Sequence, residues 1–343
     1  MNSKERMNAV LKHQQPDRTP FVPSIYEHGA RVINKSPYET SRSAELTAQA
    51  ALKSLEVYGH DLVTVGIDIY NVEVEAFGCE LSYGSERSIP GVTSHPMASS
   101  ATLDPSGLEI PSAGNGNRLQ MLADATSKVV DEVGDDVWVL ATMSGPFSQA
   151  VELRGFENLV CDMLDSPELV HRLLEVTTEL SLQQARRISE VGAGVSIFES
   201  WATIPLITPD IFSEYVVPYN KRVIDMIRRD YDVPPPAVIM GGNTAILMDH
   251  FIEVGTSLVV ADYMTDFEFM KKKTAGINMI VRGCADPKMI EREQWDGVRK
   301  SVEGLAEKKK GMYNFVWGCG CVSLNTRGET LLKFKEMCMA ADN

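Results

Sequence analysis

Residues 237–285 read AVIMGGNTAILMDHFIEVGTSLVVADYMTDFEFMKKKTAGINMIVRGCA, and this stretch decides the fold. It contains three short apolar runs, at residues 237–243, 257–264 and 279–285, with longer mixed segments between them. The runs are apolar on both faces, which is typical of parallel strands covered by helices. The stretch therefore predicts consecutive strand-helix-strand units.

The same alternation continues on both sides of this stretch. Five more apolar runs lie at residues 19–26, 61–68, 137–145, 195–202 and 314–321. Helical segments are predicted at residues 43–58, 167–191, 210–230 and 326–341, the second with Ser166 at its N-cap and Pro167 in its first turn. Eight strand-helix units predict a (β/α)8 TIM barrel. A doubly wound open sheet would be favoured by a Gly-rich phosphate loop after the first strand, and the sequence has none there.

One segment, residues 73–117, interrupts the alternation of strands and helices and contains clusters of Gly, Ser and Pro. We expect it to form a small, hairpin-like insertion after the second strand, near one mouth of the barrel. Because no linker or internal repeat divides the chain, residues 1–343 are predicted to be one domain.

Composition limits the classes of partner. The chain has 343 residues, 44% of them hydrophobic, and a net charge of −14, which argues against nucleic acid or an anionic membrane as its main partner. It has no signal-peptide pattern and no run of about 18 apolar residues, so we expect a cytoplasmic protein. Six cysteines are too few for a disulfide scaffold, and in a reducing compartment clustered cysteines are more often metal ligands or reactive thiols.

Polar residues at the carboxyl ends of the predicted strands are the candidates for chemistry. Asp262, Cys284 and Cys319 end the last three strands, and Cys321 is an alternative to Cys319. Neighbouring parallel strands lie about 4.8 Å apart, so three such side chains can converge on one ion. Zinc accepts thiolate and carboxylate ligands together. The other interpretation is that the cysteines are inert, buried barrel residues.

Glu199 stands out in the fourth strand, within IFESWA at residues 197–202. A carboxylate in an apolar strand is costly to bury unless it has partners. The residue therefore has either a catalytic or ligand-orienting role or a structural hydrogen-bonding role.

Four long stretches resemble the uroporphyrinogen decarboxylase superfamily: ERMNAVLKHQQPDRTPFVP (5–23), SGPFSQAVELRGFENL (144–159), IFESWATIPLITPDIFSEYVVPYNKRVI (197–224) and RGCADPKMI (282–290). The resemblance covers nearly the whole chain and implies the barrel fold.

True uroporphyrinogen decarboxylases carry a Met-Arg-Gln-Ala-Gly-Arg-Tyr-Leu-Pro signature that binds the many carboxylates of their substrate. Here SIYEHGARVINKSP (24–37) keeps only Gly29 and Arg31 of its polar core and has Glu27 where an arginine is needed. A polyanionic substrate is therefore not expected.

The corrinoid-linked methyltransferases of the superfamily resemble the chain more closely, in YGHDLVTVGIDIYNVEVEAFGCEL (58–81). Members that methylate coenzyme M hold zinc with a His-x-Cys pair and a later Cys. Here Ile239 and Gly241 stand at the pair, and Cys319 is retained. Members that demethylate methoxylated aromatics are similar in using an Asp and two downstream cysteines, an order that Asp262, Cys284 and Cys319 follow. The resemblance thus implies Zn²⁺, with cobalamin supplied by a partner corrinoid protein.

The expected function is that of the methyltransferase component of an O-demethylase. Zinc would act as a Lewis acid on the oxygen of a small methoxylated, aromatic substrate, and the methyl group would pass to the cobalamin of the corrinoid protein. Tyr26, Trp201 and Trp317 would form either the pocket wall or the core. Glu199 would orient a ligand, and Asn243 would hydrogen-bond the substrate.

Three alternatives stay open, and a homodimer is compatible with each. The first is methyl transfer from methylcobalamin to coenzyme M or a folate. The second is a decarboxylase-like lyase that acts on a substrate smaller than a porphyrinogen. The third is a non-catalytic barrel that binds a corrinoid protein or a tetrapyrrole.

Overall fold

Parallel strands form at seven of the eight predicted runs. The computed structural model describes residues 1–85, 88–99, 104–112 and 116–342. The strands in these residues are β1 (Leu62–Val65), β2 (Glu80–Ser82), β3 (Gly91–Ser94), β4 (Trp138–Ser144), β5 (Gly194–Phe198), β6 (Ala237–Ile239), β7 (Leu258–Ala261), β8 (Ile280–Ala285) and β9 (Phe315–Cys319). Two parallel sheets have the orders β1-β4-β5-β6 and β7-β8-β9.

The first predicted strand, residues 19–26, is the exception. It makes only isolated parallel bridges to the last strand, from Phe21 to Trp317 and from Ser24 to Cys321. Pro20 and Pro23 interrupt it. Because proline has no N–H to donate, a continuous ladder cannot form there.

Single hydrogen bonds link the neighbouring segments where the ladders stop. The Asp61 amide donates to the Phe21 carbonyl over 2.9 Å, which places the first run between β9 and β1. The Ser257 amide donates to the Pro236 carbonyl over 3.0 Å, beside β6 and β7. The eight segments therefore follow one another in the cyclic order of a (β/α)8 barrel, and the predicted fold is confirmed.

Helices cover the outside of the strands. They are α1 (Ser3–Leu11), α2 (His28–Val32), α3 (Pro37–Thr40), α4 (Ala44–Tyr58), α5 (Val72–Ala76), α6 (Arg118–Val133), α7 (Pro146–Arg154), α8 (Phe156–Asp165), α9 (Pro167–Glu190), α10 (Pro209–Tyr215), α11 (Val217–Asp230), α12 (Met248–Val254), α13 (Phe267–Thr274), α14 (Pro287–Glu291), α15 (Trp295–Lys308) and α16 (Gly328–Ala340). The predicted helix at 210–230 is divided into α10 and α11, because Pro218 lacks an N–H and disfavours helical backbone before it. Ser166 occupies the N-cap of α9 but makes no side-chain capping bond.

The predicted insertion contains a hairpin, since β2 and β3 pair antiparallel. Residues 86–87, 100–103 and 113–115 of the predicted segment 73–117 lie outside the described residues. Within the described part of the chain, no helix has the length and apolar character needed to cross a bilayer.

Side chains alternate between the two faces of each strand, and they form two apolar clusters, one inside the barrel and one between the strands and the helices. Ile280 and Val316 point into the barrel, where they join an inner cluster, whereas Val281 and Phe315 join an outer cluster beneath the helices. This period of two follows from the pleat of a strand. It decides which residues at the strand ends can face the barrel axis.

Candidate functional site

A cavity of about 210 Å³ lies at the carboxyl ends of the strands. This is the end of a TIM barrel where binding and catalytic residues are found. Its lining includes three aromatic side chains, two charged side chains and a thiol: Tyr26, Tyr70, Phe198, Asp262, Arg282 and Cys321.

Three aromatic rings form one wall of the cavity. The Phe198 ring packs edge-on against Tyr26 and Tyr70, with centroid distances of 5.4 and 6.4 Å and interplanar angles of 87° and 81°. Burial raises the pKa of Tyr26 to about 12, so its hydroxyl stays protonated at neutral pH. Tyr26 thus lies where the sequence analysis expected a pocket wall, and the wall suits a flat apolar group.

Asp262 is fixed at the rim of this cavity. Its two carboxylate oxygens accept hydrogen bonds from the Gly242 amide over 3.0 Å and the Tyr263 amide over 2.8 Å. The side chain is half-buried. It is therefore held in place and partly open to the cavity.

The strand register separates two of the predicted metal ligands. Cys284 pairs with Gly318, and Cys319 pairs with Ala285, so the two thiols are offset by one residue on adjacent strands. A one-residue offset puts side chains on opposite faces. Cys284 accordingly lies in the inner cluster and Cys319 in the outer one.

Cys321, the alternative ligand, lines the cavity together with Asp262. Where side chains are described, no three His, Cys, Asp or Glu residues are close enough together to hold a metal ion. Asp262, Cys284 and Cys321 are nevertheless donors of the kind that zinc prefers. Cys284 belongs to the inner cluster, and Asp262 and Cys321 line the cavity. Burial raises the pKa of Cys284 to about 11, so a metal would have to displace its proton.

Glu199 is fully buried behind the cavity wall, with Phe198 and Ser200 on the lining. It accepts four hydrogen bonds at the start of α7 and from α11: from the Phe147 amide (3.2 Å), the Ser148 amide (2.9 Å), the Ser148 hydroxyl (2.7 Å) and Asn220 Nδ2 (2.7 Å). Burial raises the pKa of Glu199, and these donors oppose that shift. Its contacts are those of a residue that positions α7, and the structure does not bring it into contact with the cavity.

The remaining predicted residues lie away from the cavity lining. Asn243 is exposed, and its Oδ1 accepts from the Ala245 amide at 3.4 Å. The Trp201 indole donates to Glu152 over 2.7 Å, and the Trp317 indole donates to Asp342 over 3.1 Å. For both tryptophans, the structure favours the packing alternative.

Arg282 is a site residue that the sequence analysis missed. It belongs to β8, faces the barrel interior and lines the cavity, yet it is only 6% exposed. Its Nε has no hydrogen-bond partner. The signal was present, because a cation within the apolar run MIVRGCA and two residues before Cys284 must face the same side of the strand as that cysteine.

Taken together, a parallel barrel with an aromatic cavity and a buried cation at its carboxyl ends defines an enzyme-type TIM barrel. The family model for uroporphyrinogen decarboxylase (URO-D) matches residues 2–340. The chain therefore belongs to the URO-D family, and the predicted family is confirmed.

Individual relatives divide between two activities. The chain is 28% identical over 333 residues to "Methylcobamide:CoM methyltransferase MtbA" of Methanosarcina mazei, covering 94% of this chain and 93% of that protein. It is 24% identical over 333 residues to "Uroporphyrinogen decarboxylase" of Myxococcus xanthus, covering 92% and 90%. A solved "methyltransferase from Methanosarcina mazei" superposes with a TM-score of 0.81 at 21% identity over 99% of this chain and 98% of that one, which shows a common fold.

Proposed function

We propose that this chain is a corrinoid-dependent methyltransferase that moves a methyl group from a small methoxylated aromatic substrate to the cobalamin of a separate corrinoid protein. The observation that carries the proposal is the small, ring-lined cavity at the barrel mouth. Similarity to the methylcobamide:CoM methyltransferase of Methanosarcina mazei supports corrinoid-linked methyl transfer as the class of reaction.

The size of the cavity argues against a porphyrinogen substrate and against any other bound tetrapyrrole. A cavity of about 150 Å³ is enough to hold benzene. The cavity here, at about 210 Å³, has room for one substituted ring and is too small for a macrocycle of four pyrroles. The packing of Tyr26 and Tyr70 against Phe198 gives that ring an aromatic surface.

The loops around the cavity offer a surface for the corrinoid protein. Leu206, Ile246 and Met264 follow β5, β6 and β7, and their side chains are exposed. Exposed apolar side chains on the loops beside a binding site suit a protein contact surface. We propose that this surface, the mouth surface, receives the corrinoid domain and brings its cobalt to the methyl group.

The transfer itself is a displacement at the methyl carbon. The cob(I)alamin electron pair forms the new cobalt–carbon bond as the carbon–oxygen bond breaks. The substrate oxygen keeps that bonding pair and is protonated by solvent after the product leaves the cavity, so the products are a phenol and methylcobalamin. The chain's own contribution is to hold the ring on the Tyr26 and Phe198 wall and to exclude water, which lowers the entropic part of the barrier.

A zinc ion would assist the leaving oxygen as a Lewis acid. We propose Asp262, Cys284 and Cys321 as the residues that hold it, because Cys319 lies on the other face of the sheet. The metal site stays a prediction. Glu199 would act only indirectly, by joining the start of α7 to the segment that follows the cavity-lining Phe198.

Transfer of methyl from methylcobalamin to coenzyme M is the second candidate. The similarity to a CoM methyltransferase favours it. The lining at Ile239 and Gly241 disfavours it, since neither residue supplies an imidazole or thiol for thiol activation.

The deciding experiment runs both reactions with the purified chain. In the first, cob(I)alamin is mixed with 2-methoxyphenol or with 4-methoxybenzoate, and methylcobalamin absorbance and the released 1,2-dihydroxybenzene or 4-hydroxybenzoate are followed. In the second, methylcobalamin is mixed with 2-mercaptoethanesulfonate, and loss of methylcobalamin is followed. We expect turnover in the first reaction, and turnover in the second reaction alone would overturn the proposed direction and substrate.

Metal analysis tests the zinc proposal separately. We expect about one zinc per chain, lost in Cys284→Ser and Cys321→Ser. Cys319→Ser should keep it, as should the matched controls Cys338→Ser for a buried thiol and Cys161→Ser for an exposed one. If the protein contains no zinc after purification under reducing conditions without chelators, the proposed Lewis-acid role of zinc is wrong.

A further inference from the structure

We propose that Arg282 binds an anionic group of the substrate, and that the substrate is therefore a small organic monoanion such as a methoxybenzoate. This inference rests on the proposed function and deepens it, because it assigns the charge that the substrate carries.

The guanidinium of Arg282 is confined to the barrel interior and to the cavity. The residue lies in β8 between Val281 and Gly283, which face the outer side of the sheet, so its own side chain faces inward. Gly318 on β9 lies against its stem, and a Cβ at Gly318 would collide with the Arg282 Cγ and Cδ atoms. Packing on that glycine directs the long side chain along the inner wall to the cavity that it lines.

The charge of Arg282 lacks a counterion in the folded chain. Its guanidinium hydrogen-bonds the Tyr26 hydroxyl and the Cys284 thiol, which carry no charge while they are protonated. Its Nε has no hydrogen-bond partner, and no carboxylate of the described residues comes within the 4.0 Å of an ion pair. Another largely buried arginine, Arg118, pairs with Asp68 and with Glu75 at 2.9 Å. Because a buried, unpaired charge is costly, its retention on a cavity wall indicates a group that is paired when the ligand is present.

The one carboxylate on the lining does not fill this role. Asp262 is committed to the amides of Gly242 and Tyr263 at 3.0 and 2.8 Å. It lines the same cavity as Arg282 but stays beyond ion-pair distance. A ligand that carries its own anionic group would complete the site.

The chemistry of the ligand follows from these constraints. A guanidinium presents parallel N–H donors that match a carboxylate or a sulfonate. The cavity holds one ring, and Phe198 with its tyrosine neighbours supplies the ring surface. A benzoate with a methoxy group satisfies both features, whereas an alkanesulfonate satisfies only the charge.

Isothermal titration of the full chain, without any corrinoid, tests the charge requirement. The ligands form two matched pairs of similar shape: 4-methoxybenzoate against 4-methoxybenzamide, and 2-mercaptoethanesulfonate against 2-mercaptoethanol. We expect 4-methoxybenzoate to bind roughly 30-fold or more tightly than the amide, as for a buried charge pair. Arg282→Met should remove that preference, and Arg282→Lys, which keeps the charge but not the fork, should retain part of it.

The outcomes separate this inference from the proposed function. Equal affinity for the anion and its neutral partner, or a preference that survives in a cooperatively unfolding Arg282→Met variant, would overturn the role of Arg282 even if aryl methyl ethers are turned over. Selective binding of the sulfonate instead of the benzoate would support Arg282 as the anion partner and overturn the aromatic substrate. Selective, Arg282-dependent benzoate binding would support the inference whether or not the methyl-transfer assay succeeds.

Discussion

Arg6 and Arg282 are two buried arginines at opposite ends of the barrel, and each is 6% exposed. Arg6, near the amino ends of the strands, pairs with Asp61 and Asp17, each at 2.6 Å. Arg282, near the carboxyl ends, has no such partner in the described chain. The two arginines are therefore equally buried, but Arg6 is paired with carboxylates and Arg282 is not.

The difference reflects what each end of the barrel does. Asp61 is fully buried and accepts from Arg6, Arg18 and the Phe21 amide, so it fastens the first, proline-interrupted segment to the start of β1. Paired charges there stabilise the closed barrel. At the mouth, an unpaired charge reduces stability but is available to a ligand, as expected where binding residues gather.

Removing Asp61 should have the largest effect on stability. Asp61→Asn leaves Arg6 and Arg18 without their shared buried carboxylate, and breaking such a pair costs about 3–5 kcal/mol. Urea unfolding should show this loss. Asp230→Asn, which breaks the exposed pair with Arg229, is the control and should change stability by less than about 1 kcal/mol. A similarly small effect at Asp61 would remove the basis of the comparison between the two ends.

Glu73 extends the comparison to a carboxylate on the mouth side. It is buried, its Oε2 accepts from the Ser144 hydroxyl over 2.8 Å, and its Oε1 has no partner. Burial raises its pKa from 4.5 to about 7. The folded chain therefore holds a proton that the unfolded chain has released between these pH values, and stability contributed by this group falls as pH rises from about 4.5 to 7.

Glu73→Gln should remove this pH dependence. Above pH 7 the variant should be more stable than the unchanged chain by roughly 3 kcal/mol, and the gain should vanish below about pH 4.5. Unfolding free energies measured by urea at several pH values check this, with the exposed Glu303→Gln as control. A gain that does not vary with pH would mean that packing, and not ionisation, is responsible.

Arg282→Met should stabilise the chain while it abolishes anion binding. Methionine fills much of the same space without the desolvated charge, and we expect a gain of about 1–3 kcal/mol in the free energy of unfolding. Thermal and urea unfolding without ligand measure it. A loss of stability would indicate that the guanidinium is satisfied within the chain, and the contrast with Arg6 would fail.

Much of this architecture follows from local sequence, but the assembly of the site does not. Strands apolar on both faces are recognisable from pattern alone, and so the last seven segments were predicted. The choice between Cys319 and Cys321 depends on where β9 ends, because Cys319 is its last residue and packs in the outer cluster, whereas Cys321 follows the strand and lines the cavity. No local pattern contains that end point. Arg282 was missed because it lies two residues before the strand-end residue Cys284, and because its lack of a carboxylate counterion is a property of the whole fold.

The smallest predicted effect concerns the mouth surface. Met264 is 71% exposed beside the cavity, and Met264→Asp places a charge where the corrinoid protein is proposed to dock. We expect kcat/KM for methyl transfer to the protein-bound corrinoid to fall roughly tenfold, because a desolvated charge without a partner opposes docking. Transfer to free cob(I)alamin should be unchanged, since the cavity is intact.

Val57→Asp, on the last turn of α4 near the amino ends of the strands, is the control and should alter neither rate. Equal losses with free and protein-bound corrinoid would show that Met264 acts on the cavity, and the mouth surface would then have to be located elsewhere.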